Sequence, residues 1–181
     1  MKKKIKILYT IPNFNTAGSG KALLNVISRI DKNIFEPSIC CRHEKGELFK
    51  AAQELDVPIH ISYFTALMKP RLKGIENIFR LSRFFKKINP DIIHSYNYSD
   101  DYSEGLSARL AGIKWIYTKK NMSWGGNAWK IRSKIADVII PQNEEMVVKF
   151  FNGFKKLNLI PIGIDVDEFS NIEMEIDNIK E

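Results

Sequence analysis

Short apolar runs that alternate with stretches of helical periodicity constrain this chain more than any other feature. Residues 5–10, 38–41, 57–61, 91–94, 114–118, 137–140 and 157–160 are each of strand length and apolar at their centres. Between them, Ala22, Leu23, Val26, Ile27 and Ile30 recur at helical spacing, as do Ile75, Ile78, Leu81, Phe85 and Ile88. Further helices are predicted over 47–55, 104–111 and 144–151. The punctuation agrees. Asn89-Pro90 stops the long helix, Gly112 closes the helix before the fifth strand, and Asn143 caps a helix whose first turn carries Glu144 and Glu145. Pro58, at the start of the third strand, suits a sheet edge. Strands separated by amphipathic helices pair in parallel through right-handed crossovers, with helices on both faces. The predicted fold is therefore α/β, a three-layer, doubly wound parallel sheet of the Rossmann-like kind.

At 181 residues, 44% hydrophobic and 27% charged, the chain has material for one real core, which excludes disordered and membrane-spanning classes. Met1-Lys2-Lys3-Lys4-Ile5-Lys6 opens like a signal peptide. Lys6 interrupts its apolar stretch and Pro12-Asn13 ends it, so it reads as the solvent edge of the first strand. The cysteines, Cys40 and Cys41, are neighbours and cannot staple distant segments; they read as apolar strand residues in a reducing, cytoplasmic setting. The formal charge of +7 favours an anionic ligand or surface. Part of the excess is local: Lys69, Arg71, Lys73, Arg80, Arg83, Lys86 and Lys87 face only Glu76. The domain is expected over 1–170, with 171–181 a linker or frayed tail.

In open parallel sheets, ligands bind beyond the carboxyl ends of the strands, where strand order reverses. That selects the loops after the first, fourth and fifth strands. The first is Thr16-Ala17-Gly18-Ser19-Gly20-Lys21, read as a loop that opens a helix. Glycines there let a ligand approach the backbone, and the helix start attracts phosphate; a tight turn alone explains them equally well. A Walker loop needs glycine at Asn15 and Ser or Thr at Ala22. A dinucleotide fingerprint needs a small residue at Leu23 and an acid where the second strand ends in Arg42. Tyr96, Asn97 and Tyr98 after the fourth strand, and Lys120, Asn121 and Trp124 after the fifth, suit a hydroxylated ligand. His94 reads as a satisfied histidine of the sheet interior. No metal-ligand spacing, serine-hydrolase elbow or pattern for specific nucleic-acid binding is present.

Taken in order, these motifs resemble the amino-terminal, acceptor-side domain of the GT-B, family-four glycosyltransferases. Asn89-Pro90-Asp91-Ile92-Ile93-His94-Ser95 is similar to that family's "PDIIHSH", and Tyr117-Thr118-Lys119-Lys120-Asn121 to "VYTxHN". Ala136-Asp137-Val138-Ile139-Ile140 resembles "ADxIIAVS", and Ile160-Pro161-Ile162-Gly163-Ile164-Asp165 with Phe169 resembles "IPNGVDxxxF", which leads to a second domain. The chain departs from the pattern at Lys120, where the family carries its active-site histidine, and at Tyr96, Asn143 and Ile162.

The resemblance implies a retaining, metal-independent transferase with no cofactor, taking a nucleotide-sugar as co-substrate. It implies Gly18, Ser19 and Gly20 on the donor diphosphate and Tyr96, Asn97 and Asn121 on a sugar or lipid-linked acceptor. Lys120, read as exposed, stays charged at neutral pH, since its reference pKa is about 10.4; a point charge facing the diphosphate fits it better than a general base. The basic helix is weighed as a peripheral membrane contact against simple packing with its lysines in water. Two rivals remain: a non-catalytic binding subunit, and an NADP-type oxidoreductase with Arg42 on the 2′-phosphate.

Overall fold

Six of the seven apolar runs form strands of one sheet. The structure is a computed structural model and describes residues 3–15, 17–124 and 126–163. Along the chain lie β1 (Ile5–Ile11), α1 (Ala17–Arg29), β2 (Phe35–Cys41), α2 (Phe49–Gln53), β3 (Ile59–Ile61) and α3 (Arg71–Ile88). They are followed by β4 (Ile92–Ser95), α4 (Ser103–Ala111), β5 (Lys114–Lys119), α5 (Trp129–Ile135), β6 (Val138–Pro141) and α6 (Glu144–Phe150). All pairings are parallel, in the order β3-β2-β1-β4-β5-β6. The chain builds outward from β1 to β3 and α3 then crosses back to β4, so the order reverses between β1 and β4. As Pro58 suggested, β3 is an edge strand. Asn143 caps α6 by accepting the Met146 N–H at 2.8 Å, and Asn89 and Gly112 close α3 and α4 in the left-handed conformation.

Three expectations need correction. The run at 157–160 makes a single bridge, Leu157 to Ile139, instead of a seventh strand. Its backbone pairing with β6 is limited to Lys156 and Asn158 with Ile139 and Ile160 with Pro141. The sequence predicts no helix over 129–135, yet α5 forms there. Its buried residues are Arg132 and Ser133, so the apolar periodicity that announces a helix is missing. In α3 the buried stripe is Gly74, Leu81, Ser82 and Phe85, whereas Ile75 is 56% exposed. The expected linker at 171–181, and residues 164–170 of the linker motif, lie outside the described residues. Among the described residues, no helix is long and apolar enough to cross a membrane.

The two faces of the sheet make two cores. Ile7, Tyr9, Ile11, Ile39 and Cys41 pack under Leu23, Ile27 and Phe49 on one face. Leu8, Cys40, Ile93, Trp115, Tyr117 and Ile139 pack under Leu81, Phe85 and Phe151 on the other. Two aspartates of the sequence motifs hold the opposite, amino-terminal edge of the sheet: Asp91 accepts the Lys6 N–H at 2.8 Å and Asp137 that of Trp115 at 2.9 Å. Gly105 of α4 has no room for a side chain, since a Cβ would sit 2.9 Å from the Trp115 ring.

Cys40 and Cys41 are buried on opposite faces of β2, and burial pushes both thiols up, Cys41 to about 11 and Cys40 further. Native-state alkylation of either is expected to run roughly a thousandfold or more slower than in denaturant, the factor set by the free energy of global opening. Fast labelling of both in the native state would contradict the interior position of β2.

Candidate functional site

The reversal between β1 and β4 places the loops after these strands side by side. At one flank α1 begins. Gly18, Ser19 and Gly20 lie within the first turns of this helix, a correction to their expected place in the preceding loop. Glycine depresses helix propensity, which hides the true start. The three differ in environment. Gly18 is exposed with open space around it, and Ser19 is half-buried. Gly20 is buried, and a Cβ there would lie 2.9 Å from Leu48 Cδ1, so it serves packing. Gly46 completes that contact: at φ +127° its Cβ would fall 2.5 Å from the Phe14 backbone, and nearby the Leu48 N–H donates to the Phe14 carbonyl at 3.3 Å. The first turn of α1 carries no acidic side chain, so the positive end of the helix dipole faces an incoming anion unopposed from within that turn.

Beside α1 lies a cleft of about 440 Å³, lined by Tyr9, His94, Tyr96 and Thr118 from the sheet, Asn25 and Arg29 from α1, and Gln142 with Ile160–Gly163 across from them. His94, expected in the interior, is half-buried and reaches this cleft. Its Nε2 is 2.8 Å from Thr118 Oγ1, and its ring lies between Tyr9 and Tyr96, with centroids 5.4 and 4.9 Å away. Burial, reinforced by the charge of Lys120, pushes its pKa down to about 3. The imidazole is neutral at physiological pH.

Lys120 follows β5. Its Nζ donates to the Tyr96 carbonyl at 3.2 Å and sits 4.0 Å from the centre of the Tyr96 ring. It is partly buried, not exposed as the sequence suggested, and burial pushes its pKa down to about 7. The permanent charge expected from its polar neighbours is thus replaced by one that titrates near neutrality. Polar residues adjacent in sequence said nothing of the Tyr96 ring brought in by β4. Lys119, one residue earlier, turns to the other face. It is buried, donates to Asn121 Oδ1 and, at 2.6 Å, to the Ser123 carbonyl, and lies 3.9 Å from the Trp124 ring centre. Burial, then Arg132, lowers its pKa to about 8.

The structure brings Tyr96 and Lys120 together but separates the other acceptor candidates. Asn121 is exposed and engaged with Lys119. Asn97 is buried under the loop after β4: its carbonyl accepts from Arg132 at 3.2 Å and its Oδ1 from the Ser99 N–H at 3.2 Å. That loop is held by residues the sequence reading passed over. Arg132 donates to the Asp101 carbonyl at 2.6 Å and to Ser95 Oγ at 3.2 Å. Glu104, fully buried, accepts from the hydroxyls of Ser95 at 2.6 Å and Thr10. Burial raises the Glu104 pKa, against the pull of Arg132 and the two hydroxyls. Only their burial marks these residues, and burial is not visible in sequence.

Residues 16–168 match the model of Glycosyltransferase Family 4, and the chain belongs to that family. No curated protein sequence matches it. Among solved structures it is similar to a glycosyltransferase from Rickettsia africae (TM-score 0.73, 18% identity, 96% of this chain and 48% of that one). It is likewise similar to Anabaena HepE in complex with UDP and glucose (0.68, 10%, 90% and 46%) and to Acinetobacter baumannii MurG (0.62, 16%, 93% and 50%). The chain spans about half the length of these proteins, and at such identities the likeness is one of fold.

The shift at Lys120 has a stability consequence. Between pH 7 and 10.5 the unfolded chain holds a proton that the folded one has released, so the contribution of this residue to stability rises with pH across that window. Relative to Lys120→Met, the wild-type chain is expected to gain stability from pH 7 to 10 in denaturant titrations. A constant difference would show that Lys120 keeps its ordinary pKa.

Proposed function

We propose that this chain is the acceptor-side half of a glycosyltransferase that moves a sugar from a nucleotide-sugar to an acceptor hydroxyl. In this reading transfer retains the anomeric configuration, needs no metal or other cofactor, and serves cell-surface polysaccharide or glycolipid synthesis in the cytoplasm. The observation that carries it is the pairing of Lys120 with Tyr96, which lines the cleft beside α1 next to the sheet's point of reversal, in a member of this family. The physical task is to stabilise a departing diphosphate while an acceptor hydroxyl is held beside the anomeric carbon. Backbone N–H groups around Gly18, Ser19 and Gly20 meet the diphosphate, and protonated Lys120 adds charge to it. Tyr96 and Asn121 contact the acceptor, and Asn97 acts through the loop it anchors. The donor half of the cleft belongs to a second domain. The oxidoreductase rival is disfavoured by Arg42, whose guanidinium turns to Thr65 and Phe64 on the α3 side of the sheet, away from α1.

The chain by itself is expected to transfer no sugar, since half a cleft cannot preorganise the reaction. Joined to a donor-binding domain, Lys120→Arg is expected to keep most activity, and Lys120→Ala and Lys120→Gln to lose about tenfold or more in kcat/KM. Wild-type transfer should fall as pH rises through about 7, and Lys120→Arg should not follow. Glutamine and alanine variants with wild-type rates would remove Lys120 from the site.

Peripheral membrane contact is assigned to α3. Leu72, Ile75 and Phe79 are 84, 56 and 50% exposed and share a side of the helix turned away from its buried stripe, with Arg83 and Lys86 on the same side one and two turns on. Apolar anchors beside cations suit an anionic bilayer surface. The chain is expected to sediment with phosphatidylglycerol-containing vesicles and not with pure phosphatidylcholine. Leu72→Ser with Phe79→Ser should weaken this roughly tenfold, from the apolar area lost; equal binding by the double variant would rule the helix out.

A further inference from the structure

A second groove opens at the same edge of the sheet, on the face opposite the cleft. It has a volume of about 740 Å³ and lies beyond the ends of β2 and β3, between their exit loops and α3, with Asp101 from the loop after β4 closing one end. Two guanidinium groups line it. Arg42 follows β2 directly; its Nη2 donates to Thr65 Oγ1 at 3.3 Å and its charge lies 5.6 Å from the Phe64 ring centre. Its Nε is buried and has no hydrogen-bond partner among the described residues. Arg80 enters from α3, paired with Glu76 at 2.8 Å on the solvent side. Asn77, Asp101 and the ring of Tyr63 complete the polar rim over a floor of Leu81 and Phe84.

Two guanidinium groups line one groove, and the planar fork of arginine matches phosphate and carboxylate. The remainder of the lining is not that of a simple anion hole. A carboxylate and an amide suit the hydroxyls of a sugar, and an exposed aromatic ring suits its C–H face. The side of α3 that lines the groove, Asn77, Arg80, Leu81 and Phe84, is distinct from the side of Leu72, Ile75 and Phe79. We propose that this groove binds a sugar bearing a phosphate or carboxylate group, with the anion between Arg42 and Arg80 and the hydroxyls on Asp101 and Asn77. That such a sugar forms part of the acceptor rests on the transferase reading above. The two sites share a wall, since Tyr96 faces the cleft and Asp101 the groove, from the two ends of one short loop.

Calorimetry or saturation-transfer NMR on the whole chain, without a donor, tests this with glucose 6-phosphate, glucuronate, glucose and inorganic phosphate as probes. At least one acidic sugar is expected to bind about tenfold or more tightly than glucose or inorganic phosphate, and the better of the two tells phosphate from carboxylate. Arg80→Gln, on the helix surface, should weaken that binding about tenfold, and Arg42→Met at least as much, with Arg42→Lys between. Should Arg42→Met unfold, Arg80→Gln and Arg42→Lys still decide. Inorganic phosphate binding as tightly as the acidic sugars overturns the sugar part, and binding unaffected by the Arg80 change overturns the site. Competition by phosphatidylglycerol vesicles that persists in Leu72→Ser with Phe79→Ser would assign the groove to a lipid headgroup instead, against the proposal. Because no donor is present, failure here leaves the transferase reading intact. Absent transfer in a two-domain protein whose groove still binds the acidic sugar defeats only that reading.

Discussion

The loop after β4 is a wall of both the cleft and the groove, and its position depends on one buried cation. Arg132 reaches from α5 to the Asp101 and Asn97 carbonyls and to Ser95 Oγ. Its charge is offset by Glu104, which is held in turn by Thr10 and Ser95. One guanidinium thereby ties α5 to the ends of β4 and α4, and the carboxylate extends the tie to β1. The two groups meet through Ser95 Oγ, which accepts from Arg132 and donates to Glu104, and removing either leaves the other buried with less compensation. The value of the tie here is geometric. Backbone carbonyls of an irregular loop would otherwise point in no fixed direction, and Tyr96 would have no defined place against Lys120.

The alternation of a strand divides the chemistry. Lys119 and Lys120 are adjacent, yet one enters an aromatic cage of Trp124 and Phe150 on one face and the other stacks on Tyr96 on the opposite face. Both are desolvated, and both lose basicity for that reason. The first holds the loop after β5 through Asn121 and the Ser123 carbonyl; the second stacks on Tyr96, a wall of the cleft. The same alternation sends the two cysteines of β2 into separate cores, and the same exit edge carries Arg42 into the groove and Tyr96 into the cleft. A parallel sheet places all its carboxyl ends on one edge, so unlike sites are gathered there without any long-range motif in the chain.

Much of this was legible beforehand. Hydrophobic period and turn chemistry are local properties, and they sufficed for the parallel sheet, the edge position of β3, and the caps at Asn89, Gly112 and Asn143. The order of loose motifs sufficed for the family. What failed were elements whose stability is not local. The helix at Trp129–Ile135 buries an arginine and a serine, so its pattern looks polar until Asp101 and Ser95 are placed around it. The run at 157–160 looks like a strand, but its pairing with β6 amounts to one isolated bridge, Leu157 to Ile139.

The sequence by itself determined the layers and the parallel pairing of the strands, because each follows from residues within a few positions of one another. Tertiary structure alone decided the properties of individual site residues. Lys120 acquires a pKa near 7 only where the Tyr96 ring, 24 positions away, displaces its water. Glu104 and Arg132 become the anchor of the site only once Thr10, Ser95 and Asp101 meet them. Arg42 and Arg80 face one groove only because β2 and α3 flank it. Desolvation and charge proximity depend on distance in space, and the chain records only distance along itself.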